Sequence, residues 1–264
     1  MQRRRVITVV LAVCTAAAFV APAADAAPTK KKVKTLRILV TNDDGVEGEG
    51  MDALVEALLE EPKVQVTVVA PAENQSGTAD KTSPTPPTAT VTPMPNGYEA
   101  TAVAGFPADS VIHALDELGL KPHVVLSGIN EGQNLGPISE VSGTVGAAKT
   151  AVRRGIPALA VSQGIGDAPD FEAGVELAIE WLREHRKELT KAKGSGATTV
   201  ASMNVPTCLA GEVRGLEEVP LAIDGTDAIL QADAVNCEST LTDPADDIEA
   251  FNNGFASLSE VTPD

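Results

Sequence analysis

The chain has 264 residues, with 37 Asp and Glu against 20 Lys and Arg, for a formal net charge of −17 at pH 7. Phosphate backbones are bound by clustered Lys and Arg, so this balance argues against a surface for a nucleic-acid duplex. The length suits one large domain with a full core, and Cys14, Cys208 and Cys237 show no spacing that suggests zinc.

Met1 to Arg5 is basic, Val6 to about Val20 is apolar, and Ala24-Asp25-Ala26 follows as a small-x-small cleavage site. This pattern predicts a signal peptide over residues 1–26 that sends the mature chain to the periplasm or the medium, free of the membrane. The apolar run is shorter than the roughly 20 residues that span a bilayer. Arg3-Arg4-Arg5 leaves the twin-arginine route open. Cleavage removes those three arginines and Asp25, so the mature chain is more acidic still. In an oxidising compartment Cys208 and Cys237 could pair or stay as two buried thiols. After Arg214 the chain has no Lys or Arg, which reads first as a solvated acidic face and second as a loose Ca²⁺ surface.

Residues 27–35 read as a frayed basic lead-in. Leu36 to Thr41 is a short apolar strand, and Met51, Leu54, Val55 and Leu58 then recur at helical spacing. Val64 to Ala70, rich in β-branched residues, is the next strand and completes a βαβ unit. Over 77–98 the composition turns to Thr, Pro and Ala, which predicts an excursion, read as an edge hairpin close to the rim. Val111, Ile112, Leu115 and Leu118 mark a helix, with Asp109 as a cap beside it. Val124 to Leu126 is a third parallel strand, Ile156 to Val161 a fourth and Thr198 to Val205 a fifth. A helix begins near Ser142, and another covers 170–189, its Phe171 and Trp181 assigned to the core. Alternating strands and helices predict a doubly wound, mostly parallel, Rossmann-like sheet in three α/β/α layers over 36–206, with 207–264 as a small, irregular, acidic C-terminal appendage.

An open α/β sheet binds ligands outside the carboxyl ends of its strands. Asn42-Asp43-Asp44-Gly45, Asn74-Gln75-Ser76-Gly77, Ser127-Gly128-Ile129-Asn130 with Asn134, and Ser142-Gly143-Thr144 all follow predicted strands. Almost every side chain in them is an oxygen donor, which suits Mg²⁺, Mn²⁺ or Ca²⁺ and disfavours zinc or copper. An Asp pair alone is more often a turn than a ligand; the neighbouring Ser and Asn favour the metal. Ser142-Gly143-Thr144 opens a helix with free N–H groups, a cradle for an anion or a plain N-cap. Next to a divalent cation the anion would be phosphate.

With these stretches, the chain resembles the SurE family of acid-phosphatase-like 5′/3′-nucleotidases. The resemblance rests on TNDDG (41–45), VVAPAENQSG (68–77), GFPADSV (105–111), LSGINEGQNLG (126–136), SGTVGAAKTAVRRGIPALAVS (142–162) and NVP (204–206). It implies a divalent-metal-dependent phosphomonoesterase acting on nucleoside 5′-monophosphates, with 3′-monophosphates and other small phosphomonoesters left open, and a homodimer or homotetramer. It also implies Asp43, Asp44, Ser76 and Asn130 as metal ligands, the two aspartates as catalytic residues, and Asn134, Ser142, Gly143 and Thr144 as the phosphate pocket. Whether water or Asp43 attacks phosphorus stays open, as does an exported, non-catalytic nucleotide-binding protein of the same fold. Val141 stands where the family commonly has Tyr, and Phe106 where it has Thr.

Overall fold

A computed structural model describes residues 33–166, 171–191, 197–225 and 235–264. The predicted signal peptide lies outside them. Nine strands form one sheet: β1 (Leu36–Thr41), β2 (Val64–Pro71), β3 (Ala89–Pro93), β4 (Glu99–Val103), β5 (Val124–Glu131), β6 (Ala158–Gln163), β7 (Val200–Val205), β8 (Leu216–Glu218) and β9 (Ala256–Val261), in the order β3-β4-β2-β1-β5-β6-β7-β9-β8. Among the described residues five α-helices accompany them: α1 (Glu49–Glu60), α2 (Pro107–Ile112), α3 (Gly143–Arg153), α4 (Glu172–Leu189) and α5 (Asp247–Asn252).

The central strands are buried on both faces, and their alternation sorts the core into two layers. Ile38 and Val40 of β1 pack with Leu54 and Leu58 of α1 and Leu182 of α4, whereas Leu39 packs with Val111 of α2 and Val145 and Ala151 of α3. Leu54 and Leu58 are fully buried, so truncating either to Ala would cost about 2–5 kcal/mol. Among the described residues no helix is long and apolar enough to cross a membrane.

From β1 the chain winds outward through β2 to β4, then returns to β5 on β1's other side and winds the opposite way through β6 to β7. The direction therefore reverses between β1 and β5, the point where this architecture opens a crevice for a ligand.

Three features differ from the sequence pattern. β5, expected to stop at Leu126, runs to Glu131 with a register shift against β6 between Ser127 and Asn130. Gly128, at φ 131, permits that irregularity, since a side chain there would strike the Val161 carbonyl. The helix expected through Leu118 ends as α2 at Ile112 and continues as one π-helical turn over His113–Glu117. Most of the described chain beyond Pro206 is irregular, but β9 pairs antiparallel with β7, β8 pairs with β9, and Cys208 and Cys237 form a disulfide. At the opposite edge, β3 falls within the expected excursion and makes a hairpin with β4, which lies just beyond residue 98 and pairs on its other side with β2.

Candidate active site

The turn after β1 is built by Asn42, which is fully buried. Its amide donates to the Gly45 carbonyl at 2.7 Å, and its Oδ1 accepts from the Gly45 N–H at 3.2 Å. Gly45 has φ 98, in the region that favours glycine. This closed turn presents Asp43 and Asp44 at the switch point.

Asp43 is 3% exposed and accepts from Thr144 Oγ1 at 2.5 Å. A Cβ on Gly143 would stand 2.7 Å from Asp43 Cβ, so glycine is what lets the start of α3 come this close. The Gln75 N–H donates to the Asp43 carbonyl at 2.7 Å and fastens the loop after β2 to the turn after β1. Asp44 is held more loosely, by Asn74 Nδ2 at 3.3 Å and the Glu131 N–H at 3.4 Å.

Burial raises the Asp43 pKa against the lowering effect of the Thr144 hydroxyl and the amides at the start of α3. Asp44 is pushed up to about 7, first by burial and then by the charges of Asp43 and Glu131. Among the described residues neither aspartate joins an ion pair. Two adjacent carboxylates in low dielectric without a cationic partner favour any cation that can reach them. The described residues also contain no group of three or more His, Cys, Asp and Glu placed to hold a metal, so a cation here would need hydroxyl and amide oxygens as well. That donor set fits a hard divalent cation.

The other predicted residues divide into three groups. Ser76 follows Gln75 in the fastened loop, exposed, with its N–H on Asn74 Oδ1 at 2.9 Å. Asn130, 8% exposed, precedes Glu131, whose N–H reaches Asp44, and its own amide donates to the Gly132 carbonyl at 2.5 Å. Both thus reach the rim through neighbours bonded to the aspartates. Ser142 is the N-cap of α3, its Oγ accepting from the Val145 N–H at 3.2 Å, so the plain cap and the proximity to Asp43 both hold. Asn134 lies further along the rim, with its amide on Ser162 Oγ at 2.8 Å and its N–H on Asn204 Oδ1 at 2.6 Å; its bonds go to β6 and β7 rather than to the aspartates.

Two supporting residues stand in stretches the sequence marks, but their roles are visible only in the fold. Asn204 closes β7 within Asn-Val-Pro, but its role as acceptor for the Asn134 N–H follows only from the register. Asp109 does more than cap: its carboxylate accepts from the Phe106 N–H and from the Ser83 N–H and hydroxyl, tying the proline-rich excursion to α2. Next to the Asn74–Ser76 loop is a cavity of about 330 Å³ lined by Glu73, Gln75, Ser83, Val103 and Phe106.

The family model "Survival protein SurE" matches residues 38–225. The chain is 37% identical over 185 residues to the 5′-nucleotidase SurE 1 of Burkholderia lata, covering 69% of this chain and 68% of that one. It is 35% identical over 243 residues to the 5′-nucleotidase SurE of Methanospirillum hungatei, covering 86% of each. A crystal structure of the SurE protein from Aquifex aeolicus superposes with a TM-score of 0.67 at 26% identity, covering 86% of this chain and 94% of that one. The match runs across the switch point and all the strand-end loops just described, and the chain belongs to the SurE family.

Proposed function

We propose that the chain is a 5′-nucleotidase that hydrolyses nucleoside 5′-monophosphates, and with them 3′-monophosphates and small phosphomonoesters, using one divalent cation, Mg²⁺ or Mn²⁺. The observation that carries this reading is the adjacent Asp43–Asp44 pair, without a cationic partner among the described residues, Asp43 buried against the start of α3 and Asp44 half-buried beside it. The names of the Burkholderia lata and Methanospirillum hungatei relatives support the nucleotide as substrate.

Asp43 and Asp44 would hold the cation, with Ser76 and Asn130 adding neutral oxygens. Bound there, a divalent cation supplies Lewis-acid charge to the phosphoryl group and acidifies water. The chain's own residues do the remaining work. Thr144 fixes the Asp43 carboxylate through its hydroxyl, while the Gln75 N–H fixes the same residue's carbonyl. Asp43 anchored at both ends suits a fixed ligand better than a moving nucleophile, which favours water as the group that attacks phosphorus. The N-terminal end of α3 places the positive end of its dipole beside the charge that grows on the phosphoryl oxygens, and Ser142, Gly143 and Thr144 line it. Asn134, held on Ser162 and Asn204, would bind a further phosphate oxygen as a preorganised donor.

The Cys208–Cys237 disulfide supports export, because such bonds persist in oxidising compartments. A homodimer or homotetramer is the assembly this reading takes over from the family resemblance, and light scattering measures it.

The test is turnover. The chelator-stripped protein should not hydrolyse AMP, and added Mn²⁺ or Mg²⁺ should restore phosphate release. Asp43→Asn should lose roughly three decades of kcat/KM while remaining folded. Full activity in that variant contradicts the proposal, and tight AMP binding without phosphate release by the native chain replaces it with a binding protein.

A further inference from the structure

The acidic stretch after Arg214 contains one carboxylate unlike its neighbours. Asp247, the first residue of α5, is fully buried. Its Oδ2 accepts from the Gly136 N–H at 2.7 Å and its Oδ1 from the Ala222 N–H at 2.8 Å, while its own N–H donates to the Pro220 carbonyl at 3.0 Å. One side chain thus ties together α5, the irregular segment following β8, and the loop that leaves β5.

That loop carries Asn134. Two side-chain acceptors hold its backbone two residues apart: Asn204 Oδ1 takes the Asn134 N–H and Asp247 Oδ2 takes the Gly136 N–H. Between them Leu135 is 1% exposed and packs on Ile248 and Phe251 of α5. Gly136 sits at φ 45 with the Ala222 carbonyl and Ile248 Cδ1 close by, at 3.2 and 3.3 Å from where a Cβ would be. The loop has its polar backbone and its apolar side chain both satisfied by the C-terminal stretch, so its conformation is set from there.

We propose that Asp247 is a positioning residue for the substrate pocket: by binding the Gly136 N–H it fixes the loop so that Asn134 is presented to the phosphate. This rests on the function proposed above and goes beyond it, since it makes the acidic C-terminal stretch part of the pocket's support. A buried carboxylate is suited to the task, because it accepts from two N–H groups at once and charge-assisted bonds are stronger than neutral ones. In Asp247→Asn one acceptor oxygen is replaced by an NH₂ group that faces a backbone N–H. The carboxamide therefore keeps the shape but releases one of the two tethers.

The experiment compares the full chain, disulfide intact, as native protein, Asp247→Asn, Asn134→Ala and the double variant, with AMP as substrate and saturating Mn²⁺. In Asp247→Asn, KM should rise roughly tenfold with kcat within about threefold, because ground-state binding is what a displaced donor loses. In the Asn134→Ala background the same change should raise KM less than about twofold, since the two residues act in series. The Gly136 amide should be protected from hydrogen exchange in the native chain and should lose that protection in Asp247→Asn. Where Asp247→Asn does not fold, Ile248→Ala, which loosens α5 under Leu135 without touching the carboxylate, should raise KM in the same direction. An unchanged KM in folded Asp247→Asn, or an equal rise with and without Asn134, overturns the proposal. A native chain that hydrolyses nothing overturns the proposed function instead, so the two failures are distinct.

Discussion

Two of the molecule's aspartate sites, Asp247 and the Asp43–Asp44 pair, are enclosed for opposite purposes. Asp247 is surrounded by donors: two backbone N–H groups, one on each oxygen, hold it within loops of its own making. Asp43 and Asp44 stand side by side at the switch point, where Thr144 meets one carboxylate and long bonds from Asn74 and Glu131 are the contacts of the other. A carboxylate that has its hydrogen bonds holds the loops around it in place, and an adjacent pair that lacks countercharge stores a demand for a cation. Burial alone therefore does not identify a functional acid. Under the proposed function, the catalytic pair is set apart by its shortfall in compensation together with its position at the strands' carboxyl edge.

Two perturbations sharpen this contrast, besides the Asp43→Asn and Asp247→Asn variants. The larger concerns the Asp247 side. Cys208 and Cys237 close a loop with a sequence separation of 29, and Asn236, beside Cys237, donates its N–H to the Asn252 carbonyl at the end of α5. Reduction should cost about 3–4 kcal/mol of stability by the chain-entropy model. Thermal unfolding with and without reductant measures it, and Mn²⁺ affinity at the aspartate pair should stay the same below the melting range. A parallel loss of Mn²⁺ affinity would show that the two regions are not independent.

The second perturbation is pH, and it acts mainly on the pair. Asp44 is raised from 3.8 to about 7. A carboxylate raised on folding contributes stability that is full below the unfolded pKa and is lost as pH climbs through the folded one. The chelator-treated protein should therefore lose stability between about pH 4 and pH 7, by roughly 1–3 kcal/mol after allowance for solvent screening. Asp43 is shifted in the same direction by burial, and so is Asp247. Added Mn²⁺ should cancel the part owed to Asp43 and Asp44 and leave the part owed to Asp247. Melting curves across this range, with and without Mn²⁺, separate them; a pH slope that Mn²⁺ does not reduce breaks the contrast.

The parts of the fold that were legible in the sequence share one property. β1, β2, β5, β6 and β7 are buried on both faces, so their β-branched and aliphatic runs mark them even without an alternating pattern. The edge strand β3 was announced by proline, which confines a strand to an edge, whereas β4, beyond the 77–98 excursion and between β3 and β2, was not. β9, Ala-Ser-Leu-Ser-Glu-Val, is half polar and pairs antiparallel with β7 at a distance in sequence that no local pattern encodes. The overshoot of β5 depends on Gly128 meeting Val161, again a long-range contact.

The site shows the same division. Asp43 and Asp44 were legible because a strand runs directly into them, and Thr144 and Gly143 because a helix start follows the next crossover. Asp247 was not, because Asp243, Asp246 and Asp247 look alike in sequence and differ only in what the fold wraps around them. Asn134 was named for its motif, but which groups fix its backbone is information carried by β7 and α5.

The most direct test of the central claim is calorimetric titration of Mn²⁺ into chelator-stripped native protein and into Asp43→Asn. One site per chain in the native protein, lost or weakened at least about a hundredfold when a single ligand carboxylate is neutralised, is the predicted result. Equal Mn²⁺ affinity in both proteins would contradict the account, since the cation would then be bound somewhere other than the paired aspartates.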